Sequence, residues 1–410
     1  MPERLTRAFA EALDAADELA PFRGDYELPP DVVYLDGHSL GPLPRTAVDR
    51  VRAVTEREWG RDLVRSWNLH GWIELPARVA AAIAPLVGAD ADEVAVADST
   101  SVNLFKLLAG GLRLRPGRNV LLSETANFPT DLYVAQGVAS VAGSELRLVE
   151  RGALGSALDE RVAMLLLTHV DFRTGELHDL AAWTAAAHDA GALVLWDLSH
   201  STGAVPVDLG GAGADLAVGC GYKYLCGGPG APSFAFVARR LHEAFETPLR
   251  GWMGHAAPFE LDIGYRPAPG AGRLLCGTPP ILSLAALECG VRGVARAGIE
   301  RIRRKSVALT DLFVRLVEQE CGGFALASPR EATRRGSQVS LRHPEGYAVV
   351  QALATRGVYG DFRVPDLLRF GFAPACVRFA DAWDAVAALR AVMEGREWDR
   401  PELRRVARVT

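Results

Sequence analysis

Lys223 stands in "AVGCGYKYLCGGPG" (217–230), flanked by Tyr222 and Tyr224 and among glycines. Of the 45 basic residues in the chain only two others are lysines, Lys106 and Lys305. An amine that can lose its proton forms Schiff bases, which a guanidinium cannot do. Lys106 falls inside a helical pattern, where its stem can reach solvent, and Lys305 belongs to "RIRRKS", a cationic helix face. Lys223 is therefore the lysine whose chemistry, rather than charge, fits its surroundings.

Three other stretches carry chemistry of their own. "ALVLWDLSH" (192–200) ends an apolar run with Asp197, followed by His200. A carboxylate that close to an apolar interior needs a partner; a local turn or cap would serve, and so would a protonated ring nitrogen. "LLSETANFPTDLY" places Phe128 and Asp131 after another apolar run, where Phe128 can stack on a flat ring or pack back on the core. "AVADSTS" puts Ser99, Thr100 and Ser101 at a helix start, either as an ordinary cap or as a phosphate cup. Phosphate cup, ring stacker, carboxylate and amine, on one α/β domain, describe a pyridoxal phosphate (PLP) site.

The elements that must position them are legible as patterns. "EVAVADS", "NVLLSE", "AMLLLTHV", "ALVLWDLSH", "DLAVGCG" and "SFAFVAR" are strand candidates, separated by helix candidates such as 101–112 and 179–191. Near-continuous apolar strands alternating with helices predict an α/β fold with a mostly parallel sheet covered on both faces. Ligands of such sheets gather beyond the carboxyl ends of the strands. A Gly/Pro-rich stretch spans about 250–280, a long amphipathic helix is predicted over 281–320, and an α+β tail follows. The expected division is an N-terminal helix and arm (1–45), a large domain (46–285) and a small C-terminal domain (286–410).

Composition excludes several classes. At 410 residues, 49% hydrophobic and 23% charged, the chain can bury a large core. A net charge of −5 without a dense basic run argues against nucleic-acid binding. No apolar run approaches the about 20 residues of a membrane span, and the acidic N-terminal helix lacks a signal-peptide core. The six cysteines show no C-x-x-C spacing and read as reduced thiols of a cytoplasmic protein. His178, His188 and His242 fall on or beside helical patterns as surface or boundary residues, while His169 ends a strand. No histidine pair has metal-ligand spacing, so no metal site is expected.

In order along the chain, "YLDGHSLG", "STSVNLFKLL", "FPTDLY", "WDLSHSTG", "YKYLCGGPGAP", "GWMGH" and "GTPPIL" resemble the motifs of kynureninases over residues 34–375. The resemblance implies PLP fold type I: a large domain around a mostly parallel sheet, and a smaller C-terminal α+β domain. It implies cleavage of L-kynurenine, and possibly 3-hydroxykynurenine, to anthranilate and L-alanine. Trp67 and Thr278 match the bacterial form that prefers kynurenine. Carried over motif by motif, Lys223 holds PLP and moves the α-proton, Asp197 pairs with the ring nitrogen beside His200, and Phe128 stacks. Thr100, Ser101, Tyr222, Trp252 and Thr278 surround the phosphate, partly from a neighbouring subunit of a homodimer. Tyr222 also serves proton transfer. Thr168 and Asp131 lie near the ring, while Ser39, Trp67 and Arg369 face the substrate, Arg369 clamping its carboxylate. One departure is His38, where the family usually has Asn.

Rival readings start from other residues. "GHSLG" (37–41) matches the G-x-S-x-G nucleophile elbow of serine hydrolases, with Ser39 as nucleophile, although prolines 42 and 44 oppose the helix that must follow. A cysteine desulfurase or class V aminotransferase would share the PLP site; a desulfurase needs a reactive thiol, for which Cys321 and Cys376 are the late candidates. A noncatalytic PLP-fold scaffold is a third.

Overall fold

The computed structural model describes residues 4–261 and 263–405. Seven strands form the central sheet: β1 (Val94–Ala97), β2 (Val120–Glu124), β3 (Glu145–Val149), β4 (Val162–Thr168), β5 (Leu193–Asp197), β6 (Leu216–Gly219) and β7 (Ser233–Val237). Their order is β1-β7-β6-β5-β4-β2-β3, and β7 alone runs antiparallel to its neighbours. Because β7 sits between β1 and β6, those two point the same way. The carboxyl ends of β1, β2, β4, β5 and β6 therefore share one edge.

Every residue of β4 and β5 is buried, as unbroken Val/Leu runs require of strands covered on both faces. Helices α1 (Thr100–Arg113), α2 (Pro129–Ala142) and α3 (Leu180–Asp189) follow β1, β2 and the loop after β4. Ser99 Oγ accepts from Val102 N at the start of α1, and Asp179 caps α3 through Ala182 N. The edge strand β3 has no apolar run to mark it: "ELRLV" is short and interrupted by charge, and parallel pairing with β2 recruits it.

The helix expected over 281–320 is two helices, α4 (Ile281–Ala297) and α5 (Ile299–Glu320). Gly298 breaks the run at φ +80°, a conformation L side chains rarely adopt. A second, antiparallel sheet follows, in the order β8 (Ala325–Leu326), β9 (Gln338–Arg342), β11 (Leu367–Gly371), β10 (Asp361–Arg363). The N-terminal arm docks on this part: Val33–Tyr34 pairs with Val358–Tyr359, and Asp36 bridges Gly371. Among the described residues, no helix is long and apolar enough to cross a membrane.

Two lysines are not where their patterns put them. Lys106 is fully buried, its Nζ on Asp98 Oδ2 (2.5 Å) and Leu274 O (2.6 Å). Lys305 pairs with buried Asp17 at 2.6 Å. Neither reaches solvent, because each found a carboxylate far away or across a turn that helical spacing does not reveal. His178 likewise is buried, bonded to Glu124 at 2.9 Å.

Candidate active site

The shared edge of the large sheet collects most of the residues singled out above. Thr168 and Asp197 are register partners at the ends of β4 and β5. Asp197 is buried and its Oδ1 accepts from Ser199 N at 2.6 Å. Asp131, in the first turn of α2, is 1% exposed and hydrogen-bonds Asp197. Burial, then the Asp197 charge, pushes the Asp131 carboxyl well above the usual carboxylate range, with Lys223 pulling the other way. Asp131 thus keeps its proton, and its Oδ2 has no partner.

Lys223 follows β6, half-buried, with its Nζ 5.9 Å from the Phe128 ring centre and 5.7 Å from that of Tyr222. Among the described residues it makes no ion pair, unlike the other two lysines. Phe128 meets Phe172 edge-on at 5.1 Å. Asn127 organises this corner: its Oδ1 accepts from Phe128 N (2.7 Å) and from Thr168 Oγ1, while its amide donates to Ser123 Oγ (2.9 Å). Asn127 is not among the residues expected from the sequence; its signal there is an amide beside the stacking aromatic. Burial, first of all, holds the Tyr222 phenol protonated far above its usual range, and holds His200 well below its own, hence neutral.

The loop 36–41 lies across this site. Gly41 N donates to Tyr222 O at 2.8 Å, and a Cβ on Gly41 would come 2.1 Å from Lys223 O. That close approach, rather than a nucleophile elbow, explains the second glycine of "GHSLG". Ser39 donates to Asp361 Oδ2 at 3.0 Å and bonds no histidine, and no strand-turn-helix surrounds it. The serine-hydrolase reading fails on that geometry.

Arg369 is 2% exposed on β11. Its Nε donates to Asp361 Oδ1 (2.6 Å), one terminal nitrogen to Asp361 Oδ2, and the other to Phe172 O (2.5 Å). Three of five N–H groups are engaged, leaving two. Arg363 also pairs with Asp361, at 2.9 Å. Asp361 was not anticipated, because nothing local distinguishes it from any acid at a strand start.

Thr100 and Ser101 occupy the first turn of α1 at the β1 end, where backbone N–H groups lack helical partners. Asp98 before them has φ +51°, held by Lys106. Among the described residues, no hydrogen bond or ring contact joins three expected residues to the Lys223 group: Trp67 meets Trp72 edge-on, Trp252 meets Phe259, and Thr278 is exposed. Cys321 and Cys376 are buried against carbonyl groups, and burial pushes each thiol up to about 12, so neither candidate has the character of a desulfurase thiol.

The edge fits a group that has a phosphate, an aromatic ring and an electrophilic carbon. It offers a helix N-terminus, an amine without an ion pair, and buried polar atoms without partners on Asp131, His200, Ser201 and Thr202. Comparison with known proteins is consistent with that. Residues 302–389 match the family model described as kynureninase C-terminal domain. A kynureninase from Burkholderia mallei (strain SAVP1) is 52% identical over 414 residues, covering 99% of this chain and 100% of the relative. In structure, the apo cysteine desulfurase from Thermococcus onnurineus NA1 superposes with a TM-score of 0.79 at 19% identity, over 92% of this chain and 98% of the other. A lysine-to-alanine variant of C-DES with glycine covalently linked to its PLP cofactor gives 0.78 at 18% identity, over 92% and 99%. At such identities these two speak for the fold alone.

Proposed function

The chain belongs to the kynureninase family, and from that premise we propose how its residues share the PLP-dependent hydrolytic cleavage of L-kynurenine to anthranilate and L-alanine. Bound through its aldehyde carbon, PLP supplies the electron sink that makes the substrate Cα–H and then Cβ–Cγ bonds labile.

Lys223 holds the cofactor and, once displaced, its amine takes and returns the proton at Cα. The observation that carries this is the Nζ without an ion pair, between the Phe128 and Tyr222 rings, on the edge that bears Asp197. The Asp197 carboxylate faces the ring nitrogen and keeps it protonated; Asp131 donates to Asp197 and adds no second charge. Phe128 stacks on the ring, and Thr168 and His200 line its edge. Thr100 and Ser101 offer N–H and hydroxyl groups to the phosphate. Tyr222, a phenol that stays protonated, is the proton donor to Cβ of the alanine fragment when the Cβ–Cγ bond breaks.

Arg369 offers its two remaining N–H groups to the α-carboxylate, with Ser39 and Trp67 beside the substrate. L-Kynurenine is the preferred substrate over its 3-hydroxy form. Trp252 and Thr278 reach the phosphate of a second copy in a homodimer. That reading is supported by exposed apolar side chains at Trp59, Val64, Leu261 and Trp252. The free thiols and acidic charge suit the cytoplasm.

The test is an absorbance spectrum before and after borohydride, then anthranilate fluorescence on adding L-kynurenine. Reduction that fixes the cofactor on Lys223, with anthranilate growing, is the expected result. Bound cofactor without anthranilate would overturn the substrate; no cofactor would overturn the site.

A further inference from the structure

Two side chains on the loop 36–41, Asp36 and His38, have no part in the chemistry above, and both are placed unusually. The His38 ring is completely buried, and neither ring nitrogen has a hydrogen-bond partner. Nδ1 lies 3.3 Å from Asp36 Oδ1, itself without a partner, and Nε2 lies 3.7 Å from Asp361 Oδ1. The two atoms touch without the alignment of a hydrogen bond, so Asp36 Oδ1 is a buried carboxylate oxygen with nothing to satisfy it. Gly371 makes room for the ring, since a Cβ there would fall 1.9 Å from Nδ1.

We propose that Asp36, held beside the buried His38 ring, takes up one proton when an α-carboxylate arrives at Arg369. His38 is then a positioning residue for the carboxylate clamp, and the inference rests on Arg369 being that clamp.

The charges around the pair give the reason. Asp361, on β10, already takes Arg369, Arg363 and Ser39. A second carboxylate at the same guanidinium would set two anions against Arg369 and Arg363, with Asp36 as a third whenever it is ionised. The groups facing His38 are Asp36 on its own loop, Asp361 and Arg363 on β10, Arg369 on β11, Lys223 after β6, and His200 after β5, whose ring is 6.0 Å away. His200 stays neutral. Asp361, despite its burial, is held below the usual carboxylate range by its hydrogen bonds from Arg369 and by the Arg363 charge.

That leaves Asp36 as the group that titrates near neutrality, raised to about 7 by burial and then by Asp361. Burial, then Arg369, keeps His38 well below its usual range, so the ring stays neutral and leaves the titration to Asp36. The sign follows. An added anion raises the Asp36 pKa further, so ligand binding takes up a proton above about pH 7 and none well below it. Affinity for the carboxylate should fall, by at most about tenfold per pH unit, as pH climbs past that point.

The probe is the substrate skeleton without its α-amine, 4-(2-aminophenyl)-4-oxobutanoate, which cannot displace Lys223. Its binding to the holoenzyme is followed calorimetrically in two buffers of different ionisation enthalpy. Wild type should take up most of a proton per site at about pH 8 and almost none at about pH 6. Asp36→Asn, isosteric and neutral, should take up none and bind with a flat pH profile. His38→Asn, whose smaller side chain admits water to Asp36, should behave likewise. The cofactor absorbance band reports whether each variant is folded. No uptake by wild type at about pH 8, or uptake retained by either variant, overturns the proposal. Wild-type affinity in Arg369→Gln would instead remove the clamp on which it rests, a separate and visible failure.

Discussion

The end of the large sheet and the small sheet each bury a carboxylate, and they neutralise it in opposite ways. At the carboxyl edge of β5, Asp197 meets a second carboxyl, Asp131, and the pair settles by keeping a proton. On the small sheet, Asp361 meets two guanidinium groups and one hydroxyl. The first arrangement has charge to spare for an incoming cation; the second is closed on itself and admits an anion only if charge nearby changes. One chain thus prepares opposite electrostatic receptors, one on each sheet, from the same residue type.

The comparison is sharpened most by Asp361→Asn. Leaving Arg369 buried without its counter-ion should cost about 3–5 kcal/mol, read as a lowered urea midpoint of the holoenzyme. An unchanged midpoint would show that Arg369 does not depend on this pair. Asp197→Asn should leave that midpoint nearly alone but cut turnover on the order of 100- to 1000-fold, because the group it stabilises is made only in the working site. Asp131→Asn should matter far less, about tenfold or under in turnover, since its carboxyl already holds a proton. A loss matching that of Asp197→Asn would mean Asp131 is the charged member. Smallest of all, Ser39→Ala should cost about 1 kcal/mol of stability, one hydrogen bond to Asp361, and retain anthranilate formation.

How much of this the sequence disclosed depends on where the partners lie. Asp197, Phe128, Thr168 and Lys223 sit at the ends of strands whose apolar runs are legible, so their meeting on one edge follows from parallel pairing alone. The burial of Lys106 and Lys305 is not legible locally, because Leu274 O lies 168 residues from Lys106 and Asp17 lies 288 residues from Lys305. Asp361 escaped notice for the same reason: its significance is Arg369 across a hairpin and Ser39 at the far end of the chain. The break at Gly298 was visible as a glycine, but helical periodicity continues on both sides and conceals it. His38 stood out only as a departure, and its burial between two carboxylates is purely tertiary.

Gly41 lies against the carbonyl of Lys223, and the loop that carries it is anchored at its other end by Asp36 on Gly371. During synthesis this places a constraint on timing. The lysine and the strand before it leave the ribosome long before residue 371 does, so the segment made first must wait for one of the last to be fixed in place. A nascent chain can form its large sheet early, yet it cannot close the wall behind Lys223 until nearly the whole protein exists. A truncation just short of β11 should therefore leave a folded sheet with an open pocket.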